Sequence, residues 1–385
     1  MNSEDTGNTG FTEQALFQSG ETIGSEGDTL PPESYISFRI PAVVRAVNGD
    51  ILAFCEGRHQ FEDSGENDII LKRSTDNGET WNSGKRLADV DVPDSANDMC
   101  MDPNPVVDED PSSPFYGRVW LAFHKTVGDR EDGKPLSRKQ VLIYSDDHGV
   151  TWTGDSSSDP AANPEIVLGD LGILGSASPG HAIQLASGRI FFQGKGRPFY
   201  SDDNGITWTN GGNYDSAVDG YGLNESMAVQ LKSGSIYMTS RRDNDSAGVK
   251  ARLFTLSSDQ GGNWDTLQFD DALIDQKCQA SILRFTSEET GGKNRILFAN
   301  PAHDLARVKM TVRLSYEGDD DPDYDEADGL DWSYSRLIHD GFSAYSDMVV
   351  QKDDRIGLLY ETDNYETLRY ARFTLDWLTE GEDTL

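Results

Sequence analysis

Short apolar runs recur along the chain, each preceded by a turn residue and a polar residue. The runs are rich in β-branched and aromatic side chains, which is typical of buried strands bounded by turns. Their first apolar residues are Ile51, Val119, Ile190, Ile236, Ile296 and Ile356. The steps between them are 68, 71, 46, 60 and 60 residues, with a mean of 61. The pattern therefore predicts six similar units of β structure.

A second repeat, S-x-D-x-G-x-T-W, is interleaved with the first. It begins at Ser74, Ser145 and Ser201, and a copy over Ser257–Trp264 departs from it at the threonine. A fifth copy, between residues 315 and 332, is decayed and carries an acidic insertion. In this motif, the Asp box, the aspartate caps a tight turn, the glycine takes a positive φ and the tryptophan is expected to pack inward. Each of the first five units is thus predicted to end in a hairpin closed by such a turn.

Six repeats of strands and hairpins predict an all-β fold, a six-bladed β-propeller with Asp-box hairpins and almost no helix. A single domain over residues 13–380 then accounts for nearly the whole chain, and residues 1–12 are predicted to be a disordered acidic tail. The sixth unit has no Asp box. We therefore expect a strand near Leu16 and Phe17 to complete it, which would close the ring and remove an open sheet edge.

The charge of the chain excludes several classes of partner. The 385 residues include 67 acidic and 33 basic side chains, a formal net charge of −34. Such a surface repels polyanions, so neither nucleic acid nor an anionic membrane is an expected partner. The aspartate-rich surface also suggests adaptation to high salt, because the Debye length at ~1 M ionic strength is only about 3 Å.

Targeting signals are not evident in the sequence. No apolar stretch approaches the roughly 18 residues of a membrane helix. The acidic start, Met1 to Asp5, lacks the basic and apolar regions of a secretory signal. We therefore expect a cytoplasmic protein, or one exported by a non-standard route, that is monomeric or weakly oligomeric.

Cysteines and acidic clusters indicate no metal or cofactor. Cys55, Cys100 and Cys278 are widely spaced, without a disulfide framework or a zinc-binding C-x-x-C, so we expect core thiols. The insertion at residues 319–328 lacks the glycine and the final glutamate of an EF-hand loop. We interpret it as a solvated acidic segment, although a bound cation remains the alternative.

Residues outside the Asp boxes resemble a known family. Tyr35–Ala42 contains an F/Y-R-I-P element, Glu56-Gly57-Arg58 follows it, and Ala344-Tyr345-Ser346-Asp347 lies near the end. With the four Asp boxes, this ordered set over about residues 14–378 resembles the sialidases, the glycosidases that release terminal sialic acid. The resemblance implies an exo-α-sialidase that acts on a sialic-acid-bearing glycan or oligosaccharide without a cofactor.

The substrate of that family explains a set of arginines. Sialic acid carries a carboxylate on its anomeric carbon, and a guanidinium grips a carboxylate through paired hydrogen bonds without titrating. By resemblance, these arginines are Arg39, Arg241 and Arg307. Arg242 is an alternative to Arg241, since neighbouring strand residues face opposite sides. Arg313 is an alternative to Arg307, but it lies in the strand leading to the decayed Asp box.

The resemblance also implies three catalytic residues: Tyr345 as the nucleophile, Glu225 as its base and Asp63 as the general acid/base. A neutral phenol avoids bringing a second anion to the substrate carboxylate, but its pKa of about 10 requires a base. We therefore expect Tyr345 within hydrogen-bond reach of Glu225, and neighbouring arginines that lower the pKa of the phenol. The local alternatives to Asp63 are Glu62, Glu66 and Asp68.

Four further residues match supporting positions of the family. Arg58 and Asp102 match the contacts to the 4-hydroxyl of the sugar. Glu361 matches the carboxylate that orients the first arginine, a task that Glu56 could share.

Three functions remain open: hydrolysis of a sialoside with retention, hydrolysis or transfer of a related nonulosonic acid, and partner binding by a non-catalytic Asp-box propeller. The joint presence of Tyr345, Glu225 and Asp63 favours an enzyme, because a binding module does not need them.

Overall fold

The computed structural model describes residues 10–24, 32–63, 65–88, 99–129, 135–154, 165–173, 175–214, 222–242, 250–288, 292–319, 321 and 323–385. Its strands are β1 (Phe11–Gln18), β2 (Thr22–Ile23), β3 (Glu33–Ser34), β4 (Ser37–Arg45), β5 (Ile51–Arg58), β6 (Asn67–Ser74), β7 (Lys85–Ala88), β8 (Met99–Val107), β9 (Val119–Asp129), β10 (Pro135–Ser145), β11 (Ile166–Val167), β12 (Ile183–Gln184), β13 (Ile190–Phe192), β14 (Phe199–Ser201), β15 (Thr209–Asn210), β16 (Leu223–Gln230), β17 (Ile236–Arg242), β18 (Ala251–Ser257), β19 (Gln268–Ile274), β20 (Ser281–Thr286), β21 (Arg295–Pro301), β22 (Val308–Ser315), β23 (Tyr334–Val350), β24 (Ile356–Thr362) and β25 (Thr367–Phe373).

Helix is scarce in these described residues. One α-helix, α1, covers Leu375–Leu378, and 3₁₀ turns cover Leu168–Leu171, Glu326–Asp328 and Asp363–Tyr365. The prediction of a nearly all-β chain is confirmed. None of the helices in the described part of the chain is long and apolar enough to cross a bilayer.

Hydrogen bonding among the described strands traces six successive units of four antiparallel strands. Units 1 and 2, β4–β7 and β8–β11, form one eight-stranded sheet in which a parallel contact joins β6 to β8, and units 3 and 4 are the four-stranded sheets β12–β15 and β16–β19. The long strand β23 belongs to two units, because its residues 334–342 pair with β22 and its residues 343–350 pair with β24. Unit 5 is therefore β20–β22 with the first part of β23, and unit 6 is the second part of β23 with β24, β25 and β1.

The N-terminal strand completes unit 6. Strand β1 pairs antiparallel with β25, with Phe17 opposite Leu368. The predicted strand near Leu16 and Phe17 is confirmed, and it starts at Phe11, two residues before the predicted domain boundary. Residues 1–9 of the predicted tail lie outside the described residues.

The Asp boxes connect the third and fourth strands of units 1 to 4. In the first box, Asp76 Oδ1 accepts hydrogen bonds from Ser74 Oγ at 2.7 Å and from the Thr80 amide at 2.9 Å. Its Oδ2 accepts from Thr80 Oγ1 at 2.6 Å. Asp147 and Asp203 repeat this pattern, and at Asp259 an asparagine replaces the threonine. These aspartates therefore have a structural role.

The decayed fifth box keeps part of the same network. Ser315 Oγ donates to Asp331 Oδ1 at 3.1 Å across the insertion. Within the insertion, Asp319 pairs with Lys232 at 2.9 Å, and Asp325 caps the 3₁₀ turn at Glu326–Asp328. Part of the acidic segment is therefore bonded to the fold instead of being only solvated.

The tryptophans of the boxes pack against the preceding unit, and Trp152 and Trp208 are buried there, so these two pack inward as predicted. Trp152 meets Phe54 edge-on at 5.7 Å, and Trp208 meets Trp120 at 5.5 Å. A Cβ on Gly205 would lie only 2.1 Å from the Trp120 ring, so this close approach requires glycine. The box of unit 1 packs in the same way on unit 6, since Trp81 lies 5.0 Å from the ring of Tyr370 on β25.

Candidate active site

Three of the candidate residues lie in β-bulges of the first strands of their units, and a fourth directly precedes such a bulge. The register shifts between Arg39 and Ala42 in β4, Met101 and Asn104 in β8, Leu223 and Ser226 in β16, and Ser343 and Ser346 in β23. A bulge bends its strand and redirects a side chain. The bulges contain Asp102, Glu225 and Tyr345, and Arg39 is the last paired residue before its bulge.

The second strands bring the remaining groups to the same edge. Because each pair is antiparallel, the end of a second strand lies beside the start of the first. Arg58 ends β5, Arg241 lies next to the end of β17, and Glu361 is the penultimate residue of β24. Glu56 of β5 lies directly opposite Arg39 of β4. Residues from distant parts of the chain therefore meet on one side.

Tyr345 is the centre of the cluster. Its hydroxyl donates to Glu225 Oε1 at 2.5 Å and accepts from Arg241 Nη1 at 2.6 Å. Arg241 Nη1 also contacts Glu225 Oε2 at 2.5 Å. The three groups form a closed triangle, so the expected contact between the phenol and the glutamate is present.

The pKa of the phenol reflects opposing effects. Burial, followed by the negative charge of Glu225, raises the pKa of Tyr345 well above its ordinary value, and the Arg241 charge only partly opposes this. Arg241 thus lowers this pKa as expected, but burial and Glu225 outweigh it and the net shift in the substrate-free site is upward. The physical reason is that burial penalises the charged phenolate and the nearby negative charge repels it, so the neutral phenol is favoured.

Arg39 is held by Glu361, as the resemblance implied. Glu361 Oε1 accepts from Arg39 Nε at 2.9 Å, and Oε2 lies 3.4 Å from Nη2. Both side chains are buried, with 8% and 0% exposed. Burial alone would lower the pKa of Arg39, but the adjacent carboxylate raises it above its ordinary value. Arg39 is therefore a fixed, permanent cation.

Arg307 completes the set of arginines. Its guanidinium carbon lies 5.5 Å from the centre of the Tyr345 ring, the same distance as that of Arg39. In the described part of the chain, its hydrogen bonds go to neutral oxygens, the Tyr365 hydroxyl at 3.0 Å and the Lys277 carbonyl at 3.3 Å. Its positive charge thus has no direct carboxylate partner among those residues.

The alternative arginines lie elsewhere. Arg242 is fully buried and donates to the backbone carbonyl of Asp275 at 2.8 Å. Arg313 donates to Asn300 Oδ1 at 2.9 Å, and its burial lowers its pKa. Both side chains have structural surroundings away from Tyr345.

Asp63 lies on the loop after β5, with 81% of its side chain exposed. Its Oδ1 accepts from Arg58 Nη1 at 2.7 Å and lies 3.5 Å from Arg39 Nη1. Burial of part of the group would raise its pKa, but the hydrogen bond and charge of Arg58, with Arg39 and Arg307, hold the pKa of Asp63 below its ordinary value. The carboxyl is therefore ionised in the free site.

The alternative carboxylates, two on this loop and Asp68 on β6, face other groups. Asp68 is buried and accepts the Tyr35 hydroxyl at 2.5 Å. Glu62 contacts Arg58 through its backbone carbonyl, at 3.2 Å. Glu66 lies in a group with Glu33 and His59, whose donor atoms are within 4.8 Å of one another, and Glu33 is already paired with Arg86.

Arg58 and Asp102 are joined through Glu56. Arg58 Nε donates to Glu56 Oε2 at 2.7 Å, and the backbone amide of Asp102 donates to Glu56 Oε1 at 2.8 Å. Burial raises the pKa of Glu56, although Arg58 opposes the shift. Glu56 thus bonds Arg58 and the backbone of Asp102, and the charge of Arg39 also acts on it, so a shared role of Glu56 at Arg39 stays a prediction.

A cavity of about 130 Å³ opens between Asp102 and Glu225. His124, Ser176, Lys195 and Asn224 also line it, none of which the sequence singled out. His124 Nε2 lies 2.8 Å from Ser176 Oγ. The polar lining offers donors and acceptors for a hydroxylated ligand.

The three cysteines are free and buried, which confirms the expectation of core thiols. Cys278 packs against Tyr345 and Ile40 below the site. Burial raises the pKa of its thiol to about 12, so the thiol is neutral.

Comparisons with known proteins first identify the class. Residues 49–360 match the family model of the BNR repeat-like domain, and the chain belongs to this family. It is 30% identical over 384 residues to a sialidase of Micromonospora viridifaciens, covering 96% of this chain and 54% of that protein. It is also 29% identical over 379 residues to an exo-alpha-sialidase of Aspergillus fumigatus, covering 90% and 86%.

The predicted resemblance to the sialidases is confirmed by these relatives. The chain spans about half the length of the Micromonospora protein. Among solved structures, the Hadza microbial sialidase Hz136 aligns with a TM-score of 0.72 at 23% identity, over 89% of this chain and 67% of that one. The intramolecular trans-sialidase from Ruminococcus gnavus aligns with a TM-score of 0.71 at 19% identity, over 95% and 99%. These structural likenesses show the fold.

Proposed function

We propose that this chain is an exo-α-sialidase that hydrolyses terminal α-linked sialic acid from a glycan with retention of configuration. The observation that carries the proposal is the contact of Tyr345 with Glu225 and Arg241, at 2.5 and 2.6 Å. A phenol hydrogen-bonded to a carboxylate base, surrounded by fixed cations, is suited to attack a carbon that bears a carboxylate.

The substrate carboxylate would bind to Arg39, Arg241 and Arg307. Arg39 and Arg241 already contact carboxylates of the protein, whereas Arg307 contacts neutral oxygens in the described residues. Arg307 therefore offers the least compensated charge for an incoming anion. A local positive potential is needed because a protein of net charge −34 repels anionic ligands over long distances.

In the first step, Tyr345 would attack the anomeric carbon while its proton passes to Glu225. The bond from that carbon to the leaving oxygen breaks, and Asp63 protonates this oxygen. In the second step, Asp63 takes a proton from water, and the water oxygen attacks the anomeric carbon. The bond to Tyr345 then breaks, and Glu225 returns the proton to the phenol oxygen. Two inversions give net retention.

The six four-stranded units are proposed to be the blades of a six-bladed propeller, a single domain over residues 13–380. The support is cyclic packing, since the Asp box of unit 1 packs on unit 6 as the boxes of later units pack on their predecessors. The bulged first strands would then converge on the central axis. Propellers bury their sheet edges in this way, and ligands bind near the axis.

Transfer of the sugar to a hydroxyl acceptor is the second candidate function. One of the similar structures is an intramolecular trans-sialidase. Hydrolysis and transfer differ only in whether a water oxygen or a hydroxyl oxygen attacks the anomeric carbon in the second step. A related nonulosonic acid is an alternative substrate for either reaction. The product of one assay separates these outcomes. Hydrolysis gives the free acid, whereas transfer gives the anhydro form or a sugar attached to the acceptor.

The test is hydrolysis of a fluorogenic α-sialoside, with the anomer of the first product followed by NMR. We expect turnover with initial release of the α-anomer. Tyr345→Phe should lose at least about two orders of magnitude in kcat/KM, because it removes the nucleophile's oxygen. Tyr316→Phe is the matched control, since its hydroxyl bonds Asp383 at 2.7 Å, away from the site. Unchanged turnover in Tyr345→Phe would refute the assignment.

A further inference from the structure

Tyr365, which the sequence did not single out, contacts two of the arginines assigned to the carboxylate. Its hydroxyl oxygen accepts from Arg307 Nη1 at 3.0 Å. The guanidinium carbon of Arg39 lies 4.0 Å from the centroid of its ring, well within the range of a cation–π interaction. One side chain therefore links a cation held by unit 1 to a cation held by unit 5.

The backbone that carries Tyr365 is strained. Asp363, Asn364 and Tyr365 have φ values of 54°, 54° and 72°, three successive non-glycine residues in the left-handed region. Each such residue costs energy, and the conformation persists only where the surroundings enforce it. Aspartate and asparagine tolerate this region, but tyrosine does so poorly. Strain of this kind is concentrated at functional sites.

The surroundings that enforce the turn are visible. Ser37 Oγ, two residues before Arg39, donates to the Tyr365 carbonyl at 3.0 Å. The ring of Phe342 meets the Tyr365 ring edge-on at 4.8 Å. The turn directly follows the strand that carries Glu361, the partner of Arg39. The position of the phenol is thus fixed from three sides.

We propose that Tyr365 is a positioning residue for carboxylate recognition, an inference that rests on the proposed function. A phenol can hold a guanidinium through its oxygen and its ring without neutralising the positive charge. A carboxylate at the same place would hold Arg307 equally well but would compete with the substrate's own carboxylate for it. The strained turn therefore orients Arg307 and Arg39 and leaves their charges available to the ligand.

The test compares two substitutions with two substrates. Tyr365→Phe removes the bond to Arg307 and keeps the ring beneath Arg39, whereas Tyr365→Leu removes both contacts. With a fluorogenic α-sialoside, we expect KM to rise about tenfold in Tyr365→Phe and further in Tyr365→Leu, with a much smaller change in kcat, because the lost contacts bind substrate and transition state alike. With the methyl ester of the same sialoside, which lacks the anionic charge, each variant should differ from the wild type by less than about twofold.

A merely structural role would raise KM equally for the acid and the ester, and that result would overturn the inference. An unchanged KM for the acid in both variants would overturn it as well. Tyr316→Phe, which deletes a hydroxyl bonded to Asp383, should leave both substrates unaffected.

Binding of the 2,3-unsaturated analogue of sialic acid, measured by calorimetry, separates the two proposals. A wild type that neither turns over the sialoside nor binds this analogue refutes the proposed function, and the role of Tyr365 with it. A wild type that binds it, together with Tyr365→Phe and Tyr365→Leu variants of equal affinity, refutes only the role of Tyr365. We expect the wild type to bind and each variant to bind more weakly.

Discussion

The carboxylate of Glu361 joins Arg39 to the strand that carries Tyr345. Its Oε2 accepts the backbone amide of Tyr345 at 3.1 Å, while its Oε1 accepts from Arg39 Nε at 2.9 Å and from the Ile40 amide at 3.0 Å. One buried side chain therefore sets the distance between the strands that carry Arg39 and Tyr345. Under the proposed function, carboxylate binding and nucleophilic attack would therefore share a single structural support.

Glu361→Gln should impair both stability and activity. The neutral amide of glutamine removes the negative charge beside buried Arg39. Its NH₂ group is itself a donor and would face groups that donated hydrogen bonds to the carboxylate. Breaking such a buried pair from one side costs about 3–5 kcal/mol in the free energy of unfolding. Misplacing Tyr345 by a fraction of its contact distance should lower kcat/KM by about 100-fold.

The measurements are urea unfolding and initial rates on a fluorogenic sialoside. Glu79→Gln is the control, because Glu79 pairs with Arg372 at 3.5 Å and 66% of its side chain is exposed. It should change the free energy of unfolding by less than about 1 kcal/mol. Equal effects of the two substitutions would show that Glu361 has no special role.

The two arginines that the sequence could not fully separate make a matched pair. Arg307→Lys should raise KM by about tenfold, because lysine replaces a planar fork by a point charge and cannot bind a carboxylate through two parallel hydrogen bonds. Arg313→Lys should leave KM unchanged, since Arg313 bonds Asn300 away from Tyr345. Steady-state kinetics on both variants checks this. A larger KM effect at position 313 would reverse the assignment.

Much of the fold was predictable because its signals are local. An Asp box bonds within eight residues, so Ser74, Asp76 and Thr80 predict their own turn. The direction in which its tryptophan packs is not local. Trp81 meets Tyr370 from the other end of the chain, and no spacing in the sequence specifies that contact.

The site positions were predictable from the resemblance to the sialidases, as for Arg39 and Arg307, whose permanent charges suit a carboxylate. Features of the site that depend on several neighbours distant in the sequence were not predictable. The pKa of Tyr345 depends on burial and on whether Glu225 or Arg241 has the larger effect, and sequence spacing does not reveal which. Tyr365 was missed because Asp363 and Asn364 signal a turn, but nothing in the sequence shows where the following side chain points.

The charges around the phenol of Tyr345 predict the direction in which its pKa shifts when Glu225 is replaced. Burial and the charge of Glu225 raise the pKa of Tyr345, so Glu225→Gln should lower that pKa by removing the anion. Turnover should nevertheless fall by about 100-fold or more, because the base is lost. The phenol is followed by NMR of ring-labelled tyrosine as pH rises, and the Tyr345→Phe spectrum identifies its signal. A higher phenol pKa in Glu225→Gln would contradict this electrostatic account.

The Asp boxes predict a loss of stability in acid. Hydrogen bonds from the Thr80 hydroxyl and amide lower the pKa of Asp76 to about 2, from about 4 in an unfolded chain. A depressed pKa in the folded state stabilises the fold above the unfolded pKa, and this contribution is lost as pH falls towards the folded pKa. Asp76→Asn should therefore unfold more readily than the wild type at pH 7. The difference should narrow below about pH 4 and close near pH 2.

Thermal unfolding of both proteins across this pH range is the measurement. Asp271→Asn, an exposed position on β19 outside the boxes, is the control and should show no such convergence. A difference between Asp76→Asn and the wild type that stays constant down to pH 2 would show that the charge of the capping aspartate does not contribute.

Under the proposed function, Asp63 would connect substrate binding to proton uptake. A general acid must carry a proton, yet Arg58, Arg39 and Arg307 hold the pKa of Asp63 below its ordinary value in the free site. A ligand carboxylate bound to Arg39 and Arg307 would offset part of that positive charge and so raise the pKa of Asp63. By linkage, binding then takes up a proton, and affinity increases as pH falls through the interval between the free and bound pKa values, while the ligand stays ionised. Calorimetry of the 2,3-unsaturated analogue at pH 4–5, in two buffers of different ionisation enthalpy, measures this uptake directly. We expect a net proton uptake in the wild type and none in Asp63→Asn, because the asparagine cannot titrate. Equal uptake by both proteins would mean that another group receives the proton. In that case, substrate binding would not protonate Asp63.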